Sequence, residues 1–279
     1  MASISEIRPS PITGTWYSAD PVKLALQIDG FIHQAAAPSI KGKIFGLVVP
    51  HAGHRYSGAT AGVAYRTVLG NTYPLVIILS PSHHYYPAEL LSSAHHFYAT
   101  PLGKVPVHQE ALNLLQQEIH KQGVEIKLVA EDEEHSIEIQ LPFLQQALEG
   151  EFTLLPVMML DQGQEVVLRL SKALMKVYEK FHPLVIASSD LSHFHSLKTA
   201  NELDGNMLKM IADFSPQGVL QVEKDGSGSA CGAGPIAVAL SLAKLAGASG
   251  VTVLQHSTSA DVTGDSSSVV GYGSAVIAF

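Results

Sequence analysis

Val48 Val49 Pro50 His51 Ala52 Gly53 His54 Arg55 Tyr56 Ser57 Gly58 is the stretch that decides how the chain is read. It follows the apolar run Ile44 to Val49, which reads as a buried strand, and precedes the small-residue segment Ala59 to Val68, which reads as a helix. A histidine is thereby placed at the exit of a central strand, just before glycines that let backbone approach a ligand closely. An open α/β sheet puts its chemistry where such a strand ends.

Two other apolar runs, Leu75 to Leu79 and Leu184 to Ala187, are too short for helices and suit strands covered on both faces. The first runs into Ser80 Pro81 Ser82 His83 His84. The second delivers Ser188 Ser189 Asp190 Leu191 Ser192 His193 Phe194 His195. One histidine after one strand is ordinarily a hydrogen-bonded structural residue. Adjacent parallel strands, however, bring their carboxyl ends into a single crevice, so three such ends make His51, His83 with His84, and His193 with Asp190 candidates for one site.

The rest of the chain fits that frame. Asp20 Pro21 reads as a capped helix start, and Leu24, Ile28, Phe31 and Ile32 give an apolar face from Pro21 to Ala36, ended by Pro38 and Gly42. Helices are also expected over Ser57 to Leu69, His108 to Lys121, Gln164 to Tyr178, Leu203 to Ile211, Pro216 to Val222 and Pro235 to Leu245. A further one, Ile137 to Leu148, must hold Pro142 in its first turn or be kinked by it. Glu89 to Ser93, Ile126 to Val129, Phe152 to Leu160 and Val251 to Leu254 read as strands, and Ser268 to Ile277 alternates as an antiparallel edge strand does. Thr100 to Gly103 reads as a loop, and Asp225 to Gly234 as the most flexible stretch. Strands and helices alternate without a linker, repeat or charge block, which predicts a single three-layer α/β domain over residues 1–279 with a mixed, largely parallel central sheet.

Composition narrows the function classes. With 279 residues, 46% hydrophobic and 15% charged, and a mean hydropathy of +0.19, the chain is long enough to bury a large core. A formal net charge of -8 and a pI near 5.9 offer no phosphate-neutralising surface, which argues against a nucleic-acid partner. Met1 to Trp16 lacks the apolar core of a signal peptide, and no apolar run approaches the roughly 20 residues that span a bilayer. A cytoplasmic, reducing setting with no membrane partner is the expectation. A single cysteine, Cys231, excludes an internal disulfide and any zinc site built from several thiolates, whereas 14 histidines supply many imidazole ligands.

Cys231 lies among glycines at 226, 228, 232 and 234 that suit a helix start, where a thiol has its pKa lowered. Buried cysteine also serves as a small hydrophobe, so a ligand, a reactive thiol and a packing role stay open. The acidic run Glu131 to Glu134 reads as a solvated turn, with His135 and Ser136 at its end able to face the crevice. Arg55 and Tyr56 suit an anionic or aromatic ligand, or the surface. No dinucleotide fingerprint, phosphate-binding loop, His-Glu-x-x-His or Gly-x-Ser-x-Gly elbow is present, which disfavours nucleotide enzymes, common zinc peptidases and α/β-hydrolases.

Five motifs in register resemble the Memo family: Pro50 His51 Ala52 Gly53; Pro81 Ser82 His83 His84; Asp132 to Glu138; Ser188 Ser189 Asp190 with His193; and Cys231 Gly232 before Pro235 Ile236. The order agrees from Gly14 Thr15 Trp16 Tyr17 to the final strand. The resemblance implies a fold like that of class III extradiol dioxygenases and, in prokaryotes, the role of AmmeMemoRadiSam system protein B. It implies a metal held by His51, His83 and Cys231, with His193 as an acid/base and Asp190 and His135 nearby. The chain departs from the animal form at His54 Arg55 Tyr56 Ser57, so the peptide-binding roles proposed for that form are not carried over.

Two imidazoles and a carboxylate on iron(II) form the oxygenase arrangement; a thiolate in place of the carboxylate softens the site toward copper(I) or zinc while leaving iron open. The leading expectation is a redox or oxygen-dependent protein that uses iron or copper, with zinc third, on a small molecule. A non-enzymatic adaptor or metal chaperone, binding a protein partner from the same system through the same pocket, is the alternative. Hydrolysis with Ser189 or Cys231 as nucleophile and His193 as base is a third.

Overall fold

The computed structural model describes residues 5–34 and 39–279. A two-residue strand, β1 (Ile7–Arg8), precedes helix α1 (Pro21–Gln34). Asp20 caps α1, its Oδ1 accepting the amides of Val22 at 2.9 Å and Lys23 at 3.2 Å. The extension to Ala36 and the stop at Pro38 lie outside the described residues. Strand β2 (Ile44–Val49) is followed by α2 (His54–Arg66). This helix begins at His54 rather than Ser57, because the Gly53 carbonyl accepts the amides of Tyr56 at 2.8 Å and Ser57 at 3.3 Å and closes a turn early.

Next come β3 (Leu75–Pro81), β4 (Leu90–Ser93), β5 (Phe97–Thr100), β6 (Gly103–Pro106), α3 (Gln109–His120) and β7 (Ile126–Val129). Thr100 to Gly103 is the tight turn of the β5–β6 hairpin and not a free loop; Thr100 pairs with Gly103, whose φ of 132° only glycine tolerates readily. A 3-10 turn, Glu138–Gln140, leads into α4 (Leu141–Ala147) with Pro142 in its first turn. The chain then forms β8 (Thr153–Met159), α5 (Gln164–Phe181), β9 (Leu184–Ser188), β10 (His193–His195), α6 (Leu197–Ala212), α7 (Pro216–Asp225), α8 (Ala233–Ala246), β11 (Gly250–Thr258), α9 (Ala260–Thr263) and β12 (Val269–Ala278).

Nine strands form the main sheet in the order β10-β12-β2-β9-β3-β8-β4-β7, with β11 paired to β12; β1, β5 and β6 make a small second sheet. Strands β2, β9, β3 and β8 are parallel, and β12 is antiparallel to β2. The path from β2 through α2 to β3 runs one way across the sheet, and the path from β8 through α5 to β9 runs back. Right-handed crossovers therefore set α2 and α5 on opposite faces, giving a mixed three-layer α/β domain.

Strand β12 is not the edge that its alternation suggests. β2 and then β10 pair along one side of it and β11 along the other, since Gly271 bonds the Leu191 amide and the Ser192 carbonyl while the Val270 carbonyl accepts the Ser259 amide. The small residues that produce the alternation are there because α6 presses on the strand. A Cβ on Gly271 would lie 1.9 Å from Asp204 Oδ2, and one on Gly273 would lie 2.8 Å from Leu208.

The same closeness joins α1 to α2. A Cβ at Gly62 would sit 2.5 Å from the Phe31 carbonyl oxygen, a backbone atom that cannot rotate away. Alanine gains about 1 kcal/mol of helix propensity over glycine, while overpacking costs about 1–3 kcal/mol. Gly62→Ala is expected to lower stability by about 1–2 kcal/mol, read as a lower urea midpoint; an unchanged or higher midpoint would show that α1 is free to shift.

Candidate metal centre

Three parallel strands end side by side. Val49 is in register with Ser188, and Leu79 with Ala187, so the segments after β2, β3 and β9 leave the sheet together. Asp190 Oδ1 accepts the His51 amide at 2.7 Å and the Ala52 amide at 3.2 Å, tying the exit of β2 to that of β9. The fourth segment arrives from the far end of the chain. Cys231 donates its amide to the Asp190 carbonyl at 3.3 Å, and Gly232 donates to Ser189 Oγ at 2.8 Å. A Cβ on Gly232 would sit 2.8 Å from the Ser188 carbonyl oxygen, so glycine is what lets the cysteine reach the sheet. The stretch expected to be flexible is thus pinned, with Ala230 and Gly234 amides also held, by Glu223 and Gln162.

One donor atom each from His51, His83 and Cys231 lies within 4.8 Å of the other two, and His51 Nε2 stands 3.1 Å from the sulfur. Thiolate and imidazole ligands sit about 2.3 and 2.1 Å from a zinc-sized ion, which separates any two of them by about 3–4 Å. The donor set fits one ion with small adjustments. Its tautomers are also set. Ser188 Oγ spends its hydrogen on the Ser136 carbonyl at 2.6 Å and accepts from Gln140 Nε2 at 2.8 Å, so at 3.2 Å it accepts from His51 Nδ1 and leaves Nε2 with its lone pair. His83 Nδ1 donates to Glu134 Oε1 at 2.9 Å, freeing His83 Nε2 in the same way.

Burial sets most of the charges. It holds His51 well below the usual imidazole range, helped by the fields of His135 and His83, and takes His135 down to about 4 although Glu134 pulls the other way. Burial lowers His193 too. At His83 burial is opposed by the hydrogen bond to Glu134 and by the charges of Glu134 and Asp190, which together raise the pKa. Burial works against the Glu134 carboxylate, but the hydrogen bond and charge of His83 keep it well below the ordinary range. Asp190 is pushed up to about 7 by burial, restrained by the two amides it accepts.

Cys231 departs from its expectation. It precedes the start of α8, but burial and the nearby Asp190 push its thiol well up instead of down. A cation bound there displaces a proton.

The site opens into a pocket of about 550 Å³ whose wall includes Trp16, His51, His83, His135, Asp190 and His193. The sequence candidates at the three strand ends therefore converge, with Cys231 at the His51 side. Tyr56 also lines the pocket, whereas Arg55 and His84 do not. Ser136 is buried and donates to the Pro81 carbonyl instead of facing the crevice. Ser189 donates to the Asp190 carbonyl at 2.7 Å and accepts from Gly232, with no imidazole partner, so the serine version of hydrolysis lacks its base.

The acidic run is a solvated turn only at Glu131 and Glu133, which are exposed. Asp132 and Glu134 are buried, and the reason lies at the opposite end of the sequence. Arg8, itself buried, donates from Nε to Asp132 and from Nη1 to Glu138, both at 2.6 Å, and from Nη2 to the Glu134 carbonyl. Sequence reasoning misses both Arg8 and Glu134; the only signal for the latter is a carboxylate directly beside His135. Arg8→Ala would leave two buried carboxylates without a counter-charge and is expected to cost about 3–5 kcal/mol in chemical denaturation. A loss under about 1 kcal/mol would mean that the network is solvated.

The shifts also fix an acid response of the metal-free protein. His51, His54 (down to about 4, by burial) and His135 titrate lower in the fold than in the unfolded chain, which binds those protons first as pH falls through about 6.5. Asp190 opposes them, since the fold holds a proton that the unfolded chain releases down to about 4. With His193 lowered as well, the depressed imidazoles outnumber Asp190, so stability falls as pH drops from about 6 to 4.5. Urea midpoints that stay level over that window would contradict the assignment.

The family model for Memo-like protein matches residues 8–276. A MEMO1 family protein of Sulfolobus acidocaldarius is 36% identical, with 95% of this chain and 97% of the relative covered. A MEMO1 family protein of Saccharolobus solfataricus is 32% identical over 94% and 95%, and one of Nitrosopumilus maritimus 30% over 96% and 98%. With a family model across nearly the whole length and relatives aligned end to end, this chain belongs to the Memo family.

Proposed function

We propose that the protein binds one metal ion through His51 Nε2, His83 Nε2 and Cys231 Sγ, and uses it on a small molecule held in the adjoining pocket. The observation that carries this reading is the pairing of free Nε2 lone pairs with a sulfur 3.1 Å from one of them, while both Nδ1 atoms are engaged behind. Iron or copper suits the set best and zinc third; a bound redox ion would supply Lewis acidity and electron exchange. His193, neutral and on the pocket wall, accepts or returns a proton of the bound molecule, and His135 flanks it. Asp190 keeps the His51 backbone in place and presents its carboxyl group to the same space.

The fold likeness to class III extradiol dioxygenases belongs to this reading, as does a single working domain over the whole chain. Ring cleavage itself is disfavoured, because a thiolate beside activated oxygen is open to oxidation. A cytoplasmic setting, which keeps that thiol reduced, and a protein partner from the same system accord with it. Among the described residues no helix is long and apolar enough to cross a membrane.

Elemental analysis of anaerobically purified protein tests the reading. Wild type is expected to hold close to one equivalent, with His51→Ala, His83→Ala and Cys231→Ser each losing most of it. Glu134→Gln, which leaves the ligands but weakens the support behind His83, is expected to lower metal affinity by about 10–100-fold. Equal trace metal in all five proteins would remove the site.

A further inference from the structure

The pocket that the imidazoles line also holds a group that the metal reading does not use. Tyr272, on β12 opposite Ser257, is only 2% exposed and lines the same pocket. Its hydroxyl has no hydrogen-bond partner among the described residues. Of the other buried phenols, Tyr17 gives its hydrogen to Glu138, Tyr65 to Gln140 and Tyr73 to the Ile44 carbonyl, the Tyr98 oxygen is sealed in the core, and Tyr178 does not line this pocket. Gly271 and Gly273 face α6, so Tyr272 between them projects from the other face of β12, the face from which Val270 also lines the pocket with Asp190 and Tyr56. An inward donor without a partner, on a closely packed strand, is a place for a ligand's acceptor.

We propose that Tyr272 donates its phenolic hydrogen to an acceptor oxygen of the molecule that occupies this pocket, and that this molecule is small and largely apolar. The apolar part follows from the rest of the wall. Trp16, Tyr56, Phe194 and Val270 line it, and about 550 Å³ accommodates a ring with a short substituent. Phe194 is 76% exposed at the mouth and has a φ of 61°, a left-handed backbone that a bulky residue adopts only where its surroundings impose it. The register shift between His193 and His195, where β10 pairs with β12, supplies that constraint. Burial, with Asp190 adding to it, raises the Tyr272 pKa, so the phenol keeps its hydrogen near neutral pH.

This inference rests on the reading of the pocket as the substrate end of the metal site, but its test does not depend on turnover. Trp16 is the only tryptophan of the chain and lines the pocket, so its fluorescence reports occupancy. Benzamide, cyclohexanecarboxamide and toluene are titrated into the full-length protein and into its Tyr272→Phe and Phe194→Ala variants, with melting curves and metal content recorded on the same samples. The expected result is quenching by all three, an affinity for both amides about fivefold weaker in Tyr272→Phe, the size of one net neutral hydrogen bond, and unchanged toluene binding. Phe194→Ala should weaken all three alike. Unchanged amide affinities in Tyr272→Phe, an equal loss for toluene, or no quenching by any probe would each overturn the proposal. Loss of metal in the ligand variants is read separately, so failure here and failure of the metal site are distinguishable.

Discussion

The Asp190 carboxylate, buried just past the end of β9, accepts the amides of His51 and Ala52 as they leave β2. The crevice is positioned relative to that contact. The parallel ladder carries the register of β2, β9 and β3 only as far as the last paired residue, and beyond it the chain needs a new anchor. One carboxylate oxygen provides it for β2, and the Asp190 carbonyl provides it for Cys231. Without the first contact, the His51 amide would be buried without an acceptor, which the fold disfavours by more than a hydrogen bond's net worth. The His51 to sulfur distance is thus a consequence of backbone pairing, not of side-chain chance.

A second anchor works from the other side. Arg8 binds the loop of residues 132–138 through two carboxylates and a carbonyl, and Tyr17 adds a hydrogen bond to Glu138. That loop carries Glu134, whose Oε1 accepts His83 Nδ1 and the amides of His135 and Ser136. The N-terminal segment also brings Trp16 against His135, with ring centroids 4.2 Å apart. Buried charges of this kind cost desolvation and are held only by complete pairing, so they define the loop geometry tightly. The orientation of His83 therefore depends on a residue at the start of the chain.

The strand exits are legible in the sequence because a short apolar run marks a covered strand, and a histidine directly after each of three such runs implies a shared crevice. The family motifs add Cys231, which local composition leaves open among three roles. What stays hidden is the partner of each polar group. An acidic run is usually solvated, and nothing in Glu131 to Glu134 announces an arginine 124 residues away. The direction of the thiol shift escapes the sequence because helix-start geometry is visible there while burial beside Asp190 is not. β12 reads as an edge because Gly271 and Gly273 make room for α6, a tertiary demand written as a spacing of small residues. Tyr272 passes as an ordinary strand residue, since only the folded pocket shows where its hydroxyl points.

Both anchors serve one arrangement, the three donor atoms of His51, His83 and Cys231 that we propose share a single ion. X-ray absorption at the metal edge, on protein prepared and frozen without oxygen, tests it most directly. One sulfur neighbour at about 2.3 Å and two imidazole nitrogens at about 2.0–2.1 Å are expected around one ion. A spectrum with no sulfur neighbour, or with nitrogen and oxygen alone, would contradict it.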